Sequence, residues 1–562
     1  MENSIIIINA ADIPPAIQIA RNLSSYTVYT FDPILVDPIS SSGLGNIVYI
    51  PFDNCPLYHE LDASAHSAAF ELERALDLEV RDIVPEVSIE GWQHLNLYYI
   101  LITLKWYAAL WANFGNRLAG TKVHLFICDT PGSYYFNSFI PSILLLWHLK
   151  CNDIEFSGFT YGSKDDDSHL IPELSTENHD EGLEQLLIHL PTCWYDINYF
   201  FQELISTGKT LINIEAKNFN IPLPATKTLA LVGVEKILSS LPEEIRTKIK
   251  DFSHQLAETL DRILQPYLVI PNYRQRQARH LNNIYCAQLV TYYQLSRYFK
   301  ESKPSRIVLS DHDAGFHGPV ISFAQKHSLP VILLPHSKCV NDLEFKYRNI
   351  TVLSHPIHGQ EIFDAHHRSV LNFKIAYPET FRSSSIVSGI RTISLLLNSL
   401  SLNGFYFTRY QPYMHGIRQI VSWCNEHGIA LKIRCKPSYS IISLLERDIG
   451  VSAAELIRNA NESMEQHAES CDLCLMYDMP TTGALHFLKD SIPILNPVVE
   501  PLAPSEMTLG NARLVPQESV ENTLLRLKWF TSDPTALFYF RTEQFRNYIT
   551  LFQNARPLRA YL

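Results

Sequence analysis

The stretch from Cys471 to Leu495 constrains the fold more than any other part of this chain. It begins with a short apolar run ending at Tyr477, passes through a Pro-Thr-Thr-Gly turn and a helical pattern, and ends in an apolar Pro-Ile-Leu run. A strand, a turn, a helix and a second strand form a βαβ unit, which predicts a parallel sheet. The first N–H groups of such a helix form a binding position for an anion such as a phosphate. The alternative is that Thr481 and Thr482 only cap the helix.

The same alternation precedes this stretch. An apolar strand pattern at residues 391–400 is followed by a helical pattern at 412–427 and by a strand pattern at 430–437, which contains Lys436. A further helical pattern covers residues 452–468. In parallel sheets of this kind, ligands bind beyond the carboxyl ends of the strands. Because Lys436 and the Thr-Thr pair both follow predicted strands, we expect them to converge on one crevice.

The N-terminal part of the chain shows the same pattern. Strand patterns at residues 4–9, 27–29, 47–51 and 121–129 alternate with helical patterns, and a strand at 306–310 leads into Asp311-His-Asp313. The predicted fold class is therefore α/β.

The chain has 562 residues, which is too long for one hydrophobic core. Periodicity breaks near residues 376–388. We predict an N-terminal Rossmann-like domain over residues 1–380, with helical and loop insertions, and a second Rossmann-like domain over 381–535. The tail over 536–562 is aromatic and basic, and we expect it to cross back to the first domain or to lie on a membrane surface.

Composition narrows the class of protein. Hydrophobic residues make up 46% of the chain and charged residues 19%, which is typical of a folded globular protein. The net charge of −12 argues against a nucleic-acid partner. Cys471 and Cys474 form one C-x-x-C pair inside an apolar run, which favours core cysteines over metal ligands. The N-terminus lacks the pattern of a signal peptide, and Lys105 interrupts the closest membrane-span candidate at 95–114, so we expect a cytoplasmic protein.

These motifs resemble those of GT-B glycosyltransferases, in which two Rossmann-like domains face a central cleft. The order Lys436-Pro437, Thr481-Thr482-Gly483 and Pro493-Ile-Leu495 is similar to the nucleotide-binding half of that fold. The Thr-Thr pair is similar to the Ser/Thr motif with which sialyltransferase-like and β-Kdo transferase families hold CMP. Those families have His-Pro where this chain has Lys436-Pro437.

The region from Ser310 to Ser337 looks like the end of the acceptor half in bacterial capsule and lipopolysaccharide transferases. Those proteins often carry a Gln-His-Gly motif at this place, and this chain has Pro335-His336-Ser337. The resemblance implies a role in bacterial surface polysaccharide synthesis.

The resemblance also implies a metal-independent reaction, with no cofactor beyond the nucleotide-sugar donor. Negative charge that develops on the leaving phosphate must then be neutralised by cations, hydroxyl groups and backbone N–H groups. The predicted nucleotide-binding residues are Lys436, Ser438, Thr481, Thr482 and Gly483, together with Glu500 for a ribose diol. Glu500 has an alternative interpretation as a solvent-facing loop acid.

Catalysis in such an enzyme needs a base for the acceptor hydroxyl group or a carboxylate nucleophile. Asp311 and Asp313 are the candidates, with His317 and His336 as partners. The alternatives are an aspartate that caps the following helix and a metal site, which needs further ligands that converge in space.

A basic stretch follows Pro271 in a chain that is acidic overall. Arg274, Arg276 and Arg279 are predicted to bind an anionic acceptor, such as a lipid-linked phosphate or an acidic sugar. The alternative is the polar face of a helix that pairs with nearby acids.

Three hypotheses follow. The first is a glycosyltransferase, cytoplasmic or membrane-peripheral, that moves a sugar from CMP-Kdo, or from a UDP- or GDP-sugar, to a glycan or glycolipid acceptor. The second is a UDP-sugar 2-epimerase, which needs no acceptor. The third is a non-catalytic GT-B-like scaffold, in which Asp311 and Asp313 are dispensable.

Overall fold

The computed structural model describes most of the chain. The described residues are 2–50, 58–128, 140–161, 170–174, 184–190, 197–214, 226–310, 316–334, 350–357, 371–376, 380–382, 389–397, 410–435, 441–478, 481–499 and 514–562.

The strands are short and are named in chain order. They are β1 (Glu2–Ile7), β2 (Thr27–Thr30), β3 (Ile47–Tyr49), β4 (Thr121–Cys128), β5 (Phe156–Tyr161), β6 (Leu170–Pro172), β7 (Gln185–His189), β8 (Thr210–Ile214), β9 (Thr226–Leu229), β10 (Leu231–Gly233), β11 (Arg306–Ser310), β12 (Val331–Leu334), β13 (Ile350–Ser354), β14 (Leu371–Lys374), β15 (Thr392–Leu397), β16 (Ala430–Arg434), β17 (Leu473–Tyr477), β18 (Ile494–Val498) and β19 (Gln517–Ser519).

The α-helices connect these strands. They are α1 (Ile13–Ala20), α2 (Val36–Ser41), α3 (Tyr58–Val80), α4 (His94–Phe114), α5 (Ile140–Cys151), α6 (Ile197–Ile205), α7 (Val234–Ser240), α8 (Glu243–Leu264), α9 (Pro271–Tyr298), α10 (His317–Lys326), α11 (Tyr410–Glu426), α12 (Ile441–Ile449), α13 (Ala453–Asn461), α14 (Met464–Glu469), α15 (Leu485–Lys489), α16 (Val520–Ser532) and α17 (Pro534–Leu551).

Three parallel sheets organise the described residues. The first sheet has the order β3-β2-β1-β4-β5, and the middle sheet has the order β14-β13-β12-β11-β7-β8-β9. Every neighbouring pair in both sheets is parallel. Renumbered from its own first strand, the middle sheet has the Rossmann order 3-2-1-4-5-6 plus one further strand. Its strand order reverses between β7 and β11.

The third sheet has the order β16-β15-β17-β18-β19 and is also parallel. This is the flavodoxin-like order 2-1-3-4-5, which reverses between β15 and β17. In open α/β sheets such a reversal leaves a crevice at the carboxyl ends of the two strands, and ligands bind there.

The predicted α/β class with Rossmann-like parallel sheets is confirmed by these strand orders. Residues 1–380 contain two parallel sheets that share one large hydrophobic cluster, and the predicted domain division stays a prediction. The runs that form β7 and β8 are short and apolar, and such runs do not by themselves distinguish a strand from part of a buried helix. Their place in a second sheet emerges only from pairing with the distant strand β11.

The hydrophobic core is divided between these sheets. One large cluster joins the first and middle sheets through α3, α4, α8 and α9, and its largest fully buried side chains include Trp92, Trp106 and Trp111. A separate cluster lies under the third sheet and α11. None of the described helices is long and apolar enough to span a membrane.

The end of the chain lies on the middle sheet. Leu558 is buried in the same cluster as Leu186 and Val308 of that sheet. The N–H of Ala376 donates to the carbonyl oxygen of Arg556 at 2.8 Å. Along the sequence, the third sheet therefore lies between Ala376 and Arg556, the two places where the chain attaches to the middle sheet.

Candidate nucleotide-binding and catalytic site

The carboxyl end of β17 forms a sharp turn at the order reversal of the third sheet. Asp478 is buried and has a φ of 59°, which is the left-handed region that non-glycine residues adopt at a cost. Its Oδ1 accepts a hydrogen bond from the N–H of Val499 at 3.2 Å. This bond ties the turn to the end of the neighbouring strand β18.

The side chain of Asn496 on β18 fixes the same turn. Its Nδ2 donates to the carbonyl oxygens of Met476 at 2.5 Å and Asp478 at 3.0 Å. Because Asn496 is buried, loss of these bonds would leave carbonyl groups without solvent to replace them. The path of the chain into the Thr-Thr-Gly turn is thus set by one buried amide.

The Thr-Thr-Gly turn itself makes weak internal hydrogen bonds. The N–H of Thr481 donates to Sδ of Met476 at 3.3 Å, and the N–H of Gly483 donates to Oγ1 of Thr481 at 3.4 Å. A thioether is a weak acceptor, and 3.4 Å is long for an N–H···O bond. A phosphate oxygen is a stronger, charged acceptor and would replace them favourably.

The helix after this turn is shorter than the sequence pattern suggested. Thr482–Ala484 form a single 3₁₀ turn, and α15 has only five residues. The dipole of so short a helix contributes less than that of a long one. An anion here would therefore depend mainly on local N–H and hydroxyl groups.

At the order reversal of the middle sheet, β7 ends in a buried histidine. His189 pairs in register with Leu309 of β11 and is fully buried. Neither ring nitrogen has a hydrogen-bond partner among the described residues. Burial lowers the pKa of His189 to about 3, so the imidazole is neutral at physiological pH.

His317 lies beside His189 at the first position of α10. Its ring centroid is 5.6 Å from that of His189, and the Phe316 ring meets the same histidine at 5.3 Å. The start of α10 is fixed by Trp92, whose Cα and indole carbons lie so close to Gly318 that no side chain fits there. The indole N–H of Trp92 also donates to Oγ of Ser322 at 2.9 Å.

The structure locates some of the predicted site residues and leaves others outside the described residues. Those outside are Asp311, Asp313, His336, Lys436, Ser438 and Glu500, and the side chain of Thr482. Asp311 follows Ser310, the last residue of β11, and Lys436 follows Cys435, one residue beyond β16. Both thus directly follow the carboxyl ends of parallel strands in the sequence.

The arginine stretch lies on α9, where it begins next to Tyr273. Arg274 makes a two-bond ion pair with Asp261, at 2.9 and 3.2 Å. For this residue the geometry favours the helix-pairing interpretation. Arg276 is partly buried and Arg279 is exposed. Their role in acceptor binding stays a prediction.

His189 was not identified from the sequence. A single histidine at the end of an apolar run matches no motif, and most such residues belong to the core. The available signal was its position as the last residue of a five-residue apolar strand, which becomes informative only once β7 is known to lie beside β11.

A second histidine cluster has the residue types of a hydrolase site but not the access. Nε2 of His467 lies 2.9 Å from Oγ of Ser394, and its Nδ1 lies 3.2 Å from Oε2 of Glu462. Ser394 is fully buried in the middle of β15, so a substrate cannot reach it. Burial lowers the pKa of His467 to about 4, which keeps the ring neutral.

The C-x-x-C cysteines are buried, as the sequence favoured. Burial raises the pKa of both thiols above the ordinary value, so neither has the character of a reactive thiolate. Within the described part of the chain, no cluster of three or more His, Cys, Asp or Glu side chains is arranged to hold a metal ion.

Comparison with known proteins gives structural neighbours only. No protein-family model and no curated protein sequence matches the chain. A GtfA/B complex is 13% identical over 48% of this chain and 57% of its own, with a TM-score of 0.30. The spinosyn rhamnosyltransferase SpnG is 12% identical over 68% of this chain and 98% of its own, with a TM-score of 0.34. A UDP-N-acetylglucosamine 2-epimerase is 13% identical over 65% of this chain and 90% of its own, with a TM-score of 0.31.

The α/β assignment rests on the strand orders of the three parallel sheets.

Proposed function

We propose that this protein is a nucleotide-sugar-dependent glycosyltransferase. The observation that carries the proposal is that two sequence motifs each follow a strand at the order reversal of a parallel sheet. The Thr481–Gly483 turn follows β17 at the order reversal of the third sheet, and Asp311 and Asp313 follow β11 at the order reversal of the middle sheet. Ligands of open α/β sheets bind at such reversals.

The residues that follow β17 and the residues that follow β11 would supply complementary chemistry. The Thr481–Gly483 turn offers hydroxyl and N–H groups to a donor phosphate. Lys436 follows β16 of the same sheet in the sequence, and β15 lies between β16 and β17. These groups would neutralise charge on the leaving nucleotide as the glycosidic bond breaks. Asp311 or Asp313 would act as base or nucleophile. These aspartates follow β11 in the sequence, and the neutral His189 ends the neighbouring strand β7.

The finer assignment extends the resemblance drawn from the sequence. The donor is CMP-Kdo or a related CMP-activated sugar, and the acceptor is a glycan or glycolipid of a bacterial surface polysaccharide. Arg276 and Arg279 would contact an anionic group of that acceptor. The reaction takes place in the cytoplasm, at or near the inner face of the membrane, and uses no metal.

A UDP-sugar 2-epimerase is the second candidate. It needs the same nucleotide turn and a general acid–base pair, and no acceptor. Two structural neighbours carry that name, at a similarity too low to favour it.

The two candidates differ in their products. Purified protein is incubated with CMP-Kdo, UDP-N-acetylglucosamine and GDP-mannose in separate reactions, and ³¹P NMR follows the nucleotide signals. Either enzyme can release free nucleotide by slow donor hydrolysis, but only an epimerase converts one UDP-sugar into another without an acceptor. Asp311→Asn and Asp313→Asn test the catalytic assignment. Asp251→Asn, on the exposed face of α8, is the matched control. If all three variants retain wild-type turnover, the two aspartates are not catalytic.

A further inference from the structure

An ion pair between residues that are far apart in the sequence links the first sheet to a helix of the third sheet. Nη1 of Arg447 on α12 lies 3.0 Å from Oδ1 of Asp37 on α2. The first sheet shares its core with the middle sheet, whereas α12 belongs to the core of the third. The pair therefore joins the part of the molecule that holds the Thr481–Gly483 turn to the part that holds His189.

Arg447 is oriented by Asp448 of its own helix and by Tyr410 of α11 as well as by Asp37. Its Nε lies 2.7 Å from Oδ1 of Asp448, and its Nη2 donates to Oδ2 of Asp448 at 3.2 Å. The same Nη2 donates to the Tyr410 hydroxyl group at 3.3 Å, and that hydroxyl group in turn bonds to Asp448. A guanidinium group held in this way loses little further freedom when it binds a second carboxylate.

An apolar contact accompanies the ion pair. The rings of Tyr49, at the end of β3, and Tyr410, at the start of α11, meet edge to face with centroids 5.4 Å apart. Ile34 also packs against the core of the third sheet. The contact thus has the mixed polar and apolar character of an interface that can separate and re-form.

The pair is accessible to solvent. The side chains of Arg447 and Asp37 are 34% and 37% exposed. Salt screens ion pairs of this exposure. The attachment to the middle sheet is different in kind. Ile357, just after β13, lies in the same buried cluster as Leu396 and Met476 of the third sheet, and Ile375 forms a backbone bridge with Arg556.

We propose that Asp37, Tyr49, Tyr410, Arg447 and Asp448 form a reversible latch. When the latch is closed, the third sheet and its nucleotide turn are held against the first and middle sheets. When it opens, the third sheet swings about the paired crossings at Ile375 and Arg556. The latch gives the first sheet a role in positioning the third sheet, whichever reaction the site performs.

The test measures molecular shape rather than activity. Small-angle X-ray scattering of the whole wild-type chain is recorded from about 0.05 M to about 1 M salt, a range over which the Debye length falls several-fold. The radius of gyration is expected to rise with salt. Asp37→Asn and Arg447→Met are expected to show the high-salt value already at low salt, and the double variant is expected to match the single ones.

Glu518→Gln is the matched control, because Glu518 on β19 of the third sheet pairs with Arg526 on α16, which follows that strand directly. This variant is expected to keep the wild-type salt response. Circular dichroism of each variant verifies that it is folded. A wild-type radius of gyration that is constant across the salt range, together with unchanged scattering in Asp37→Asn, would overturn the latch.

Discussion

The hydroxyl group of Tyr477 donates to the carbonyl oxygen of Tyr413 at 2.6 Å, and the two rings meet edge to face with centroids 4.8 Å apart. This contact joins the last residue of β17 to α11, one residue before the chain turns at Asp478. Burial raises the pKa of Tyr477 above its ordinary value, so the hydroxyl group stays protonated as a donor. The backbone just before the candidate nucleotide turn is therefore fixed by its contact with α11.

Gly416 leaves the space that this hydroxyl group occupies. A Cβ at this position would overlap Oη of Tyr477 and approach Cγ2 of Val520 to 3.0 Å. We predict that Gly416→Ala lowers the free energy of unfolding by about 1–3 kcal/mol, since overpacking in a core costs that amount. Tyr477→Phe alone should cost about 1 kcal/mol for its lost hydrogen bond.

The two changes should be strongly coupled. In the Tyr477→Phe background the obstructing oxygen is gone, so Gly416→Ala should cost clearly less than it does in the wild type. Urea denaturation of the four proteins measures the coupling. Equal costs of Gly416→Ala in both backgrounds would show that Tyr477 does not fill this space.

Gly318 plays the corresponding role at the middle sheet. A Cβ there would lie 2.6 Å from Cδ1 and 2.9 Å from Cα of Trp92, and a backbone atom cannot move aside by changing rotamer. We predict that Gly318→Ala destabilises the protein by at least about 1–3 kcal/mol and displaces the start of α10, where His317 lies.

Gly233→Ala provides the comparison for this change. Gly233 has open space around its Cα and a φ of −61°, which any residue adopts. Gly233 is the N-cap of α7, where alanine is disfavoured, whereas the lower freedom of the unfolded chain favours alanine, so its replacement should change stability by less than about 1 kcal/mol. Thermal unfolding of both variants measures the difference, and similar melting temperatures would contradict the assigned contact.

Asn496 should matter for nucleotide affinity as well as stability. Asn496→Asp removes both N–H donors to Met476 and Asp478, and we expect a loss of about 1–3 kcal/mol of stability. The turn at Thr481 should also lose its defined path, so nucleotide binding should weaken in the fraction that remains folded. Asn152→Asp is the control, because Asn152 makes a similar bond to the backbone oxygen of His148 on an exposed surface. An Asn496→Asp variant with wild-type affinity for nucleotide would separate this residue from the site.

Stability should fall on acidification, and the buried groups fix the sign. His189 and His467 have pKa values of about 3 and about 4 in the folded chain, against an ordinary value of 6.5. Below pH 6.5 the unfolded chain binds protons that these folded histidines reject. Each therefore contributes a loss of up to about 1.4 kcal/mol per pH unit as pH falls toward 4.

Asp32 opposes this trend. Burial raises its pKa to about 6 from an ordinary value of 3.8, so the folded chain holds this proton more tightly. Its contribution to stability is present below pH 3.8 and is lost as pH rises through 6. Asp32→Asn should therefore steepen the acid loss between pH 6 and pH 4. Denaturant titrations at several pH values measure the slope, and an unchanged slope would contradict the pKa assigned to Asp32.

Local elements of the third sheet were predictable because their signals are local. The helical pattern at 412–427 corresponds to Tyr410–Glu426, and Gly428, at a φ of 64°, follows its end. The pattern at 452–468 is divided into α13 and α14 because Ser463 begins a new helix with its own capping box. Periodicity alone does not register such a break.

The composition of the site was less predictable, since it depends on which strands are neighbours. His189 gains its meaning from the pairing of β7 with β11, which are far apart in the sequence. Trp92 and Gly318 determine the position of α10 through a contact that no local pattern encodes. Sequence motifs predict a site at the loops after β11 and β17, and the tertiary pairing adds His189 at the end of the strand next to β11.

The most direct test of the proposed function is nucleotide binding at the Thr481–Gly483 turn. Isothermal titration calorimetry is carried out with CMP, UDP, TDP, GDP and ADP on the wild type, Thr482→Val and the control Thr535→Val, which changes an exposed threonine on α17. We predict that one nucleotide binds the wild type and the control equally and binds Thr482→Val at least about tenfold more weakly, a difference of about 1.4 kcal/mol. CMP would identify the donor as a CMP-activated sugar. Binding of none of the five nucleotides, or equal binding to all three proteins, would contradict the assignment of this turn as the nucleotide site.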